Sequence, residues 1–423
     1  YARHIDETDT TRLVNRTLYA TTMNSPALEQ AVHLPLSLRN ARRVLVVVDR
    51  GHGRLLAEYE NLSIDRIEID PFFADDSVYT GPLRMFRSPH HYDAILLGTG
   101  LPSTVAHNRW YTKSTCAYLK SLCTDSGVLS VSFGFNSTYL SESERRIRDV
   151  MHATLGSVFD HVLVFPGEGY TFVASDLPLD GPLTPRVPTD YYETMILPSV
   201  TAAQIAVAGK PAASPRLNTE ARPLALRLGI QRWLERHGVS VWVFGGILIA
   251  GIIAALLLLP RERDVVSIAS SGAITGLYSV SLMLLFQARF GTLYLFVSAL
   301  LVSITLGFAL GTHIPRLSLS DLAVGCYAAG TLGILTGVDV SAPWPFFLCQ
   351  CGMGIVAGAQ FVSLQRSSLA DRYAADLIGG VGGMALGSTL LAPLLGIGWI
   401  AAGMVVVKVL VWAGISCIEV RNK

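Results

Sequence analysis

Up to Gly238 the apolar residues come in short blocks set among charged and turn-forming positions, and from Val239 onward they run almost unbroken. The later part divides into stretches of membrane-spanning length at 239–259, 265–288, 290–312, 322–338, 345–364, 374–397 and 398–418. A bilayer core about 30 Å thick needs roughly 20 helical residues, and a backbone without water must close its hydrogen bonds internally. The pattern predicts an all-α transmembrane bundle of about seven helices over 239–418, with a tail at 419–423. The last two spans divide one apolar run at Pro393, Gly396 and Gly398. Gly379, Gly380, Gly382, Gly383 and Gly387 would let helix backbones approach closely where no hydrophobic effect drives association.

The earlier blocks predict strands at 43–49 (RVLVVVD), 66–70 (RIEID), 92–97 (YDAILL), 127–133 (GVLSVSF), 161–165 and 170–175, with helices near 112–122 and 141–155. Such alternation is that of a mostly parallel sheet covered on both faces. The last two strands are joined only by Pro166-Gly167-Glu168-Gly169, too short for a crossover helix, so they should pair antiparallel. The expected fold class is α/β Rossmann-like, of the methyltransferase type, over 41–176 with a lead-in at 1–40. Residues 177–238 read as a linker: PLDGPLTPRVPTD is extended and proline-rich, and LALRLGIQRWLERHG has the spacing of an amphipathic helix that enters the membrane or packs on the soluble domain. Trp233 and Trp242 suit a membrane interface.

Charge follows the same division. The first 238 residues hold 24 of the 33 Lys and Arg and 25 of the 32 Asp and Glu. The net charge of +1 and the absence of a basic run with interleaved aromatics argue against nucleic-acid binding. Six cysteines form no CxxC pair and no metal-like spacing with histidine; Cys116 and Cys123 fall on one predicted helix, as packing residues. A first residue of Tyr1 is expected of a processed or truncated product, and no signal-peptide pattern stands at this end. Ionisable groups inside a bilayer are costly and commonly functional. Asp321, Asp339, Asp371 and Asp376 fall near span ends, whereas Lys408 falls near the centre of the last span, as an ion or substrate contact, a pair with a partner subunit, or a lysine satisfied within the bundle. Gln287, Gln350 and Gln360 suit bonds between helices. Basic residues flanking the spans divide seven to five between the two sides, so both orientations stay open.

HLPLSLRNARRVLVVV, RIEIDP, YDAILL, LPSTVAHNRWYTKSTCAYLKSLCTDSGVLSVSF and NTEARPLALR, in this order, resemble the membrane-fused spermidine synthase-like proteins of bacteria. LMLLFQARFGTLYLFVSALLVSITLGFALG and DRYAADLIGGVGGMALGSTLLAPLLG resemble the carboxy-terminal helices of that family. The resemblance implies a polyamine aminopropyltransferase-like domain, a cleft for decarboxylated S-adenosylmethionine at the carboxyl ends of the strands, and a multi-pass place in the inner membrane.

Position by position the expected site is incomplete. The glycine-rich first turn is Asp49-Arg50-Gly51-His52-Gly53-Arg54, where Gly51 and Gly53 survive and two arginines intrude; Glu68 keeps the ribose-binding acid. The family's Gly-Asp pair reads Gly81-Pro82, and its Asp-x-x-Asp-Pro segment reads Gly98-Thr99-Gly100-Leu101-Pro102, so Gly98 and Leu101 stand at the acidic positions. A Tyr-His-Glu triplet aligns with Ala27-Leu28-Glu29, with His33 and Pro35 kept. Aminopropyl transfer needs a carboxylate that binds a polyamine and takes its proton, a service worth about 10²–10⁴-fold in rate. His52, His90, His91 and His107 are the candidate substitutes, and Asp93 and Tyr111-Thr112 read as structural. The expectation is a catalytically eroded domain acting as a scaffold or accessory subunit, with other membrane-protein subunits and the lipid bilayer as partners. No catalytic residue, metal or cofactor is expected, with Gly51, Gly53 and Glu68 as vestigial contacts for an S-adenosylmethionine-type nucleoside. The rival readings are an active aminopropyltransferase or related transferase, and a polyamine-related transporter or sensor.

Overall fold

In a computed structural model the chain forms two compact units, Tyr1–Thr219 with Leu224–Arg232, and Glu220–Pro223 with Trp233–Lys423. The residues described are 5–7, 11–14, 17–21, 25–68, 78–80, 83, 86–98, 100–102, 104–134, 140–213, 216–238, 241–257, 259–260, 262–290, 294–314, 321–338, 340, 342–364 and 367–421.

The first unit opens with a small antiparallel sheet of β1 (Ile5–Glu7), β2 (Thr11–Val14) and β3 (Thr17–Thr21), so the lead-in has structure of its own. Helix α1 (Pro26–Leu38) follows, started by the Ser25 hydroxyl, which accepts from the Leu28 amide. Next come β4 (Arg43–Val47), α2 (His52–Leu56), β5 (Ser63–Ile67), β6 (Tyr92–Leu97), α3 (Val105–Asn108), α4 (Lys113–Ser121), β7 (Cys123–Phe133), α5 (Glu142–Gly156), β8 (His161–Pro166) and β9 (Tyr170–Ser175). A wide turn at Tyr192–Ile196, α6 (Leu197–Ser199) and α7 (Ala202–Ala208) lie in the stretch read as linker.

The main sheet has the order β5-β4-β6-β7-β9-β8. Strands β5, β4, β6 and β7 pair in parallel, and β9 runs antiparallel to both β7 and β8, the latter as the short connection Gly167-Glu168-Gly169 requires. Strand alternation feeds two cores. Val44, Val46, Ala94 and Leu96 join Val32, Leu34 and Leu36 of α1 on one face, whereas Leu45, Val47, Ile95 and Leu97 join Trp110, Tyr111, Ile147 and Met151 on the other. A sheet buried on both faces reads in sequence as unbroken apolar runs, and β4 and β6 do so.

Two strands differ from expectation by three residues or more. The second strand is Ser63–Ile67, three residues earlier than 66–70, because it is an edge strand whose alternate positions face water and whose apolar signal concentrates at its end. Asp70 lies outside the described residues. The fourth strand begins at Cys123, so Cys123 leaves the helix that holds Cys116; burial pushes its thiol up to about 12.

Helix α8 (Leu224–His237) contributes residues to both units. Leu224 and Leu228 are buried in the core of the first unit, and Arg232 Nε reaches Glu144 Oε1 at 2.6 Å, so this half of the helix packs on the first unit. Trp233 is exposed; the Trp242 side chain lies outside the described residues.

The second unit holds α9 (Val241–Leu257), α10 (Arg263–Phe290), α11 (Tyr294–Thr312), α12 (Asp321–Gly337), α13 (Trp344–Ser363), α14 (Leu369–Leu386), α15 (Ala392–Leu395) and α16 (Ile397–Arg421). A wide turn at Gly387–Leu391 continues α14 into α15, and Gly396, at φ +83°, separates α15 from α16. Among the described residues, three helical stretches are long and apolar enough to cross a membrane: Arg263–Phe290, Trp344–Ser363 and Leu369–Leu395. Among the described residues, shorter apolar stretches accompany them at Gly245–Ala255, Phe296–Thr312, Leu322–Gly337 and Ile397–Ala413.

Glycines form two seams here. A Cβ on Gly276, Gly379 or Gly383 would run into backbone carbonyls across the α10–α14 contact, and so would one on Gly307, Gly311, Gly354 or Gly358 across α11–α13. Spacings of four residues put these glycines on one helix face, where backbones touch as small-residue motifs allow. Of the five glycines singled out by sequence, Gly379, Gly380 and Gly383 serve the α10–α14 seam, Gly380 by the carbonyl that a Cβ on Gly276 would meet, whereas Gly382 faces Ile252 and Gly387 faces Leu277.

Candidate functional site

The turn after β4 is held by its own acid. Asp49 Oδ1 accepts from the amides of Gly51 (2.9 Å) and Gly53 (3.1 Å), and Asp49 Oδ2 lies 3.5 Å from Arg66 Nε. Gly51 takes φ +111°, and Val48 just before it stands at φ +65°, an uncommon conformation for a β-branched residue. A Cβ on Gly53 would meet Asp49 Oδ2 at 2.5 Å and Arg66 Nη2 at 2.6 Å. The glycine thus makes room for side chains of the same domain. Glu68, buried just past β5, is level with this turn: Val47 pairs with Ile67, and the Glu68 amide donates to the Tyr79 carbonyl at 2.9 Å. Gly51, Gly53 and Glu68 therefore share the carboxyl edge of the sheet, as the sequence places them.

Gly98 and Leu101 follow β6 on the same edge. The Gly98 amide donates to the Val47 carbonyl at 2.9 Å. A Cβ there would strike the Val48 carbonyl oxygen and stand 2.6 Å from Cε1 of His52. Gly100, at φ +68°, would put a Cβ 3.1 Å from Arg50 Nη1, and the Tyr111 hydroxyl donates to its carbonyl. Leu101 packs against the main core. His52 and Arg50 thus fill space beside the positions where acids were expected. Arg54 is exposed and does not intrude. Thr99, Gly81 and Pro82 lie outside the described residues.

The four histidines separate. His90 and His91 are exposed before β6, at the opposite edge of the sheet. Asp93 is at that edge too, accepting from the Arg42 and Arg43 amides at 2.8 and 3.0 Å, which makes it a structural link between β6 and β4. His107 is half-buried on α3, its ring 6.2 Å from that of Tyr111. His52 is buried and its Nδ1 has no hydrogen-bond partner among the described residues. Burial lowers its pKa to about 4, with Asp49 opposing and Arg50 assisting the shift. An imidazole of that basicity is a poor acceptor for an ammonium proton, since a general base works best with a pKa near the operating pH.

Sequence reasoning missed three polar anchors. Glu29 is buried, and its carboxylate accepts from the amides of Asp190 (3.0 Å), Tyr191 (2.8 Å) and Tyr192 (2.6 Å), holding the turn at Tyr192–Ile196. Gln30 clamps the β8–β9 turn, accepting from the Glu168 amide and donating to the Gly169 carbonyl and the Thr171 hydroxyl. Asn218, at the start of NTEARPLALR, donates to Asn108 Oδ1 and the Tyr111 carbonyl and accepts from the Ala225 amide, tying α8 to α3. A polar residue inside an otherwise apolar helix pattern, such as Glu29 and Gln30 in α1, was the available signal.

In the second unit Lys408 is fully buried. Its Nζ donates to the Ser267 carbonyl (3.3 Å) and the hydroxyls of Ser270 (2.9 Å) and Ser271, and the Ser271 hydroxyl donates to Gln360 Oε1 at 2.6 Å. The structure brings it to α10, whose oxygens accept from it, and Ser271 links that contact to Gln360 of α13. Gln350 donates to the Ser279 hydroxyl at 3.0 Å. Among the described residues no group of three or more His, Cys, Asp or Glu could hold a metal.

A scan against protein-family models finds no match to the chain, and a search of the curated proteins finds none. Similar solved structures include a spermidine synthase in complex with the transition state analogue AdoDATO, at 15% identity and a TM-score of 0.31, covering 41% of this chain and 73% of that one. Another is spermidine synthase from Thermotoga maritima, at 14% identity and a TM-score of 0.34, covering 48% of this chain and 87% of that one. The Rossmann-like fold rests on the strand order of this chain itself.

Proposed function

We propose that this chain is a multi-pass protein of a bacterial inner membrane, whose spermidine synthase-like domain has lost its chemistry and serves as a scaffold or accessory subunit of a membrane complex. The observation that carries the reading is the contact of Gly98 with His52, with Leu101 turned into the core beside it. Polyamine alkylation needs carboxylates to hold the cation and accept its proton. Here those positions are a glycine with no room for a side chain and a leucine that stabilises the fold. The nearest imidazole is held neutral by burial. Three long apolar helical stretches and two glycine seams support the membrane assignment, with the lipid bilayer and other membrane-protein subunits as partners. No nucleic acid and no cofactor enters the proposal.

Calorimetric titration of the detergent-solubilised chain with a decarboxylated S-adenosylmethionine analogue tests the filled cleft. The expected result is no binding heat, and micromolar binding would overturn it. The scaffold role requires a membrane-protein partner that co-purifies in constant proportion in mild detergent; a chain recovered alone counts against it.

A further inference from the structure

A hollow of about 330 Å³ lies between α5, the residues Ala212 and Arg216, and the first half of α8. Three guanidinium groups line it, those of Arg146, Arg216 and Arg227, against one carboxylate, that of Asp149. Asp149 is already committed: its Oδ1 accepts from Arg148 at 2.7 and 3.0 Å. Arg146 shares an exposed pair with Glu142, of the kind water and salt weaken most. Among the described residues Arg216 and Arg227 form no ion pair. Like charges around one hollow repel one another, and a bound anion relieves that repulsion. A guanidinium presents a planar fork of donors that matches phosphate or carboxylate oxygens. One wall is apolar, built by Val150, Leu224 and Leu228. The volume is at the small end of ligand pockets, about 300–1,000 Å³, and exceeds what a bare ion fills.

We propose that this hollow binds a phosphate ester, its charge met by Arg146, Arg216 and Arg227 and its organic part laid against the leucines. A soluble phosphate ester and the headgroup of a phospholipid present the same chemistry, and α8, which supplies Arg227, leads along the chain to the apolar helix α9.

The test is calorimetric titration of the full chain in neutral detergent with glycerol 3-phosphate and, separately, with mixed micelles carrying phosphatidic acid. Binding in the first titration alone identifies a soluble ester, and binding in the second alone a lipid headgroup; either supports the site. The double change Arg216→Gln with Arg227→Gln is expected to weaken binding roughly ten- to hundredfold, the loss of one or two charge-assisted hydrogen bonds. Asp149→Asn is expected to tighten binding, and Arg145→Gln, on the exposed side of α5, to leave it unchanged. No binding of either probe, or an equal loss in Arg145→Gln, would overturn the proposal.

Discussion

A side chain on Gly98 would begin 2.6 Å from Cε1 of His52. The two residues follow neighbouring parallel strands, so the imidazole and the missing Cβ compete for the same volume. Gly98→Asp is therefore expected to destabilise the domain by about 1–3 kcal/mol from overpacking, without creating activity. His52→Ala should recover part of that loss, and only part, because the Val48 carbonyl also blocks the site. Thermal unfolding of the two single variants and the double variant gives the coupling directly; additive effects would show that the residues do not compete.

Burial holds two imidazoles neutral in the folded domain, His52 and His33, each with a pKa of about 4 against an ordinary 6.5. His33 Nδ1 also lies 2.7 Å from the Tyr59 hydroxyl. Between pH 4 and 6.5 the unfolded chain binds the extra protons, so stability rises with pH through that window and is lost as pH falls through it. Each histidine accounts for at most on the order of 3 kcal/mol. Unfolding midpoints measured from pH 4.5 to 7.5 should fall toward acid, with a shallower fall in His52→Gln and in His33→Gln. Equal slopes in all three proteins would contradict the assignment.

The sheet was legible where strands are buried on both faces, because β4 and β6 leave continuous apolar runs. It was less legible at β5, where an edge strand shows only Ile67 fully buried and the sequence signal slides toward Asp70. For the candidate site, sequence alone puts Gly98 and Leu101 where the resemblance implies acids. Their surroundings were not legible, because nothing in sequence places His52 beside Gly98 or sends Arg50 toward Gly100 while Arg54 faces solvent. Glu29 read as the remnant of a triplet and proved to be an anchor, since its partners lie some 160 residues downstream, at Asp190–Tyr192.

Glu29 offers a sharp stability test. Three amides point at one buried carboxylate, and Glu29→Ala leaves them without acceptors at a cost of about 2–4 kcal/mol. Glu29→Gln should also destabilise, since its amide group presents donors to donors. A drop in unfolding temperature for both, larger for alanine, is the expected pattern; no change in either would mean that solvent replaces the carboxylate.

The glycine seams set the packing of the helices. Gly383→Leu forces α14 away from the backbone of α10 at Ala273, and Gly358→Leu does the same to α13 against Phe308. Each is expected to lower the thermal stability of the detergent-solubilised chain, whereas Gly398→Leu, where a Cβ meets nothing within 4 Å, is expected to be silent. Similar losses at all three positions would contradict close backbone packing.

Lys408→Met keeps the volume of the side chain and removes its charge. Because Ser271 can still donate to Gln360, the bundle is expected to survive this change with little loss, whereas Lys408→Ala leaves a cavity costing about 2–4 kcal/mol. Polyamine flux abolished in reconstituted vesicles by Lys408→Met would instead give the lysine a transport role.

The most direct measurement is turnover. The purified full chain, incubated with decarboxylated S-adenosylmethionine and putrescine, is expected to form no spermidine and no methylthioadenosine above an enzyme-free control from pH 6 to 9. Product that accumulates in proportion to the protein, and disappears in His52→Ala or Glu68→Gln, would contradict a domain without chemistry.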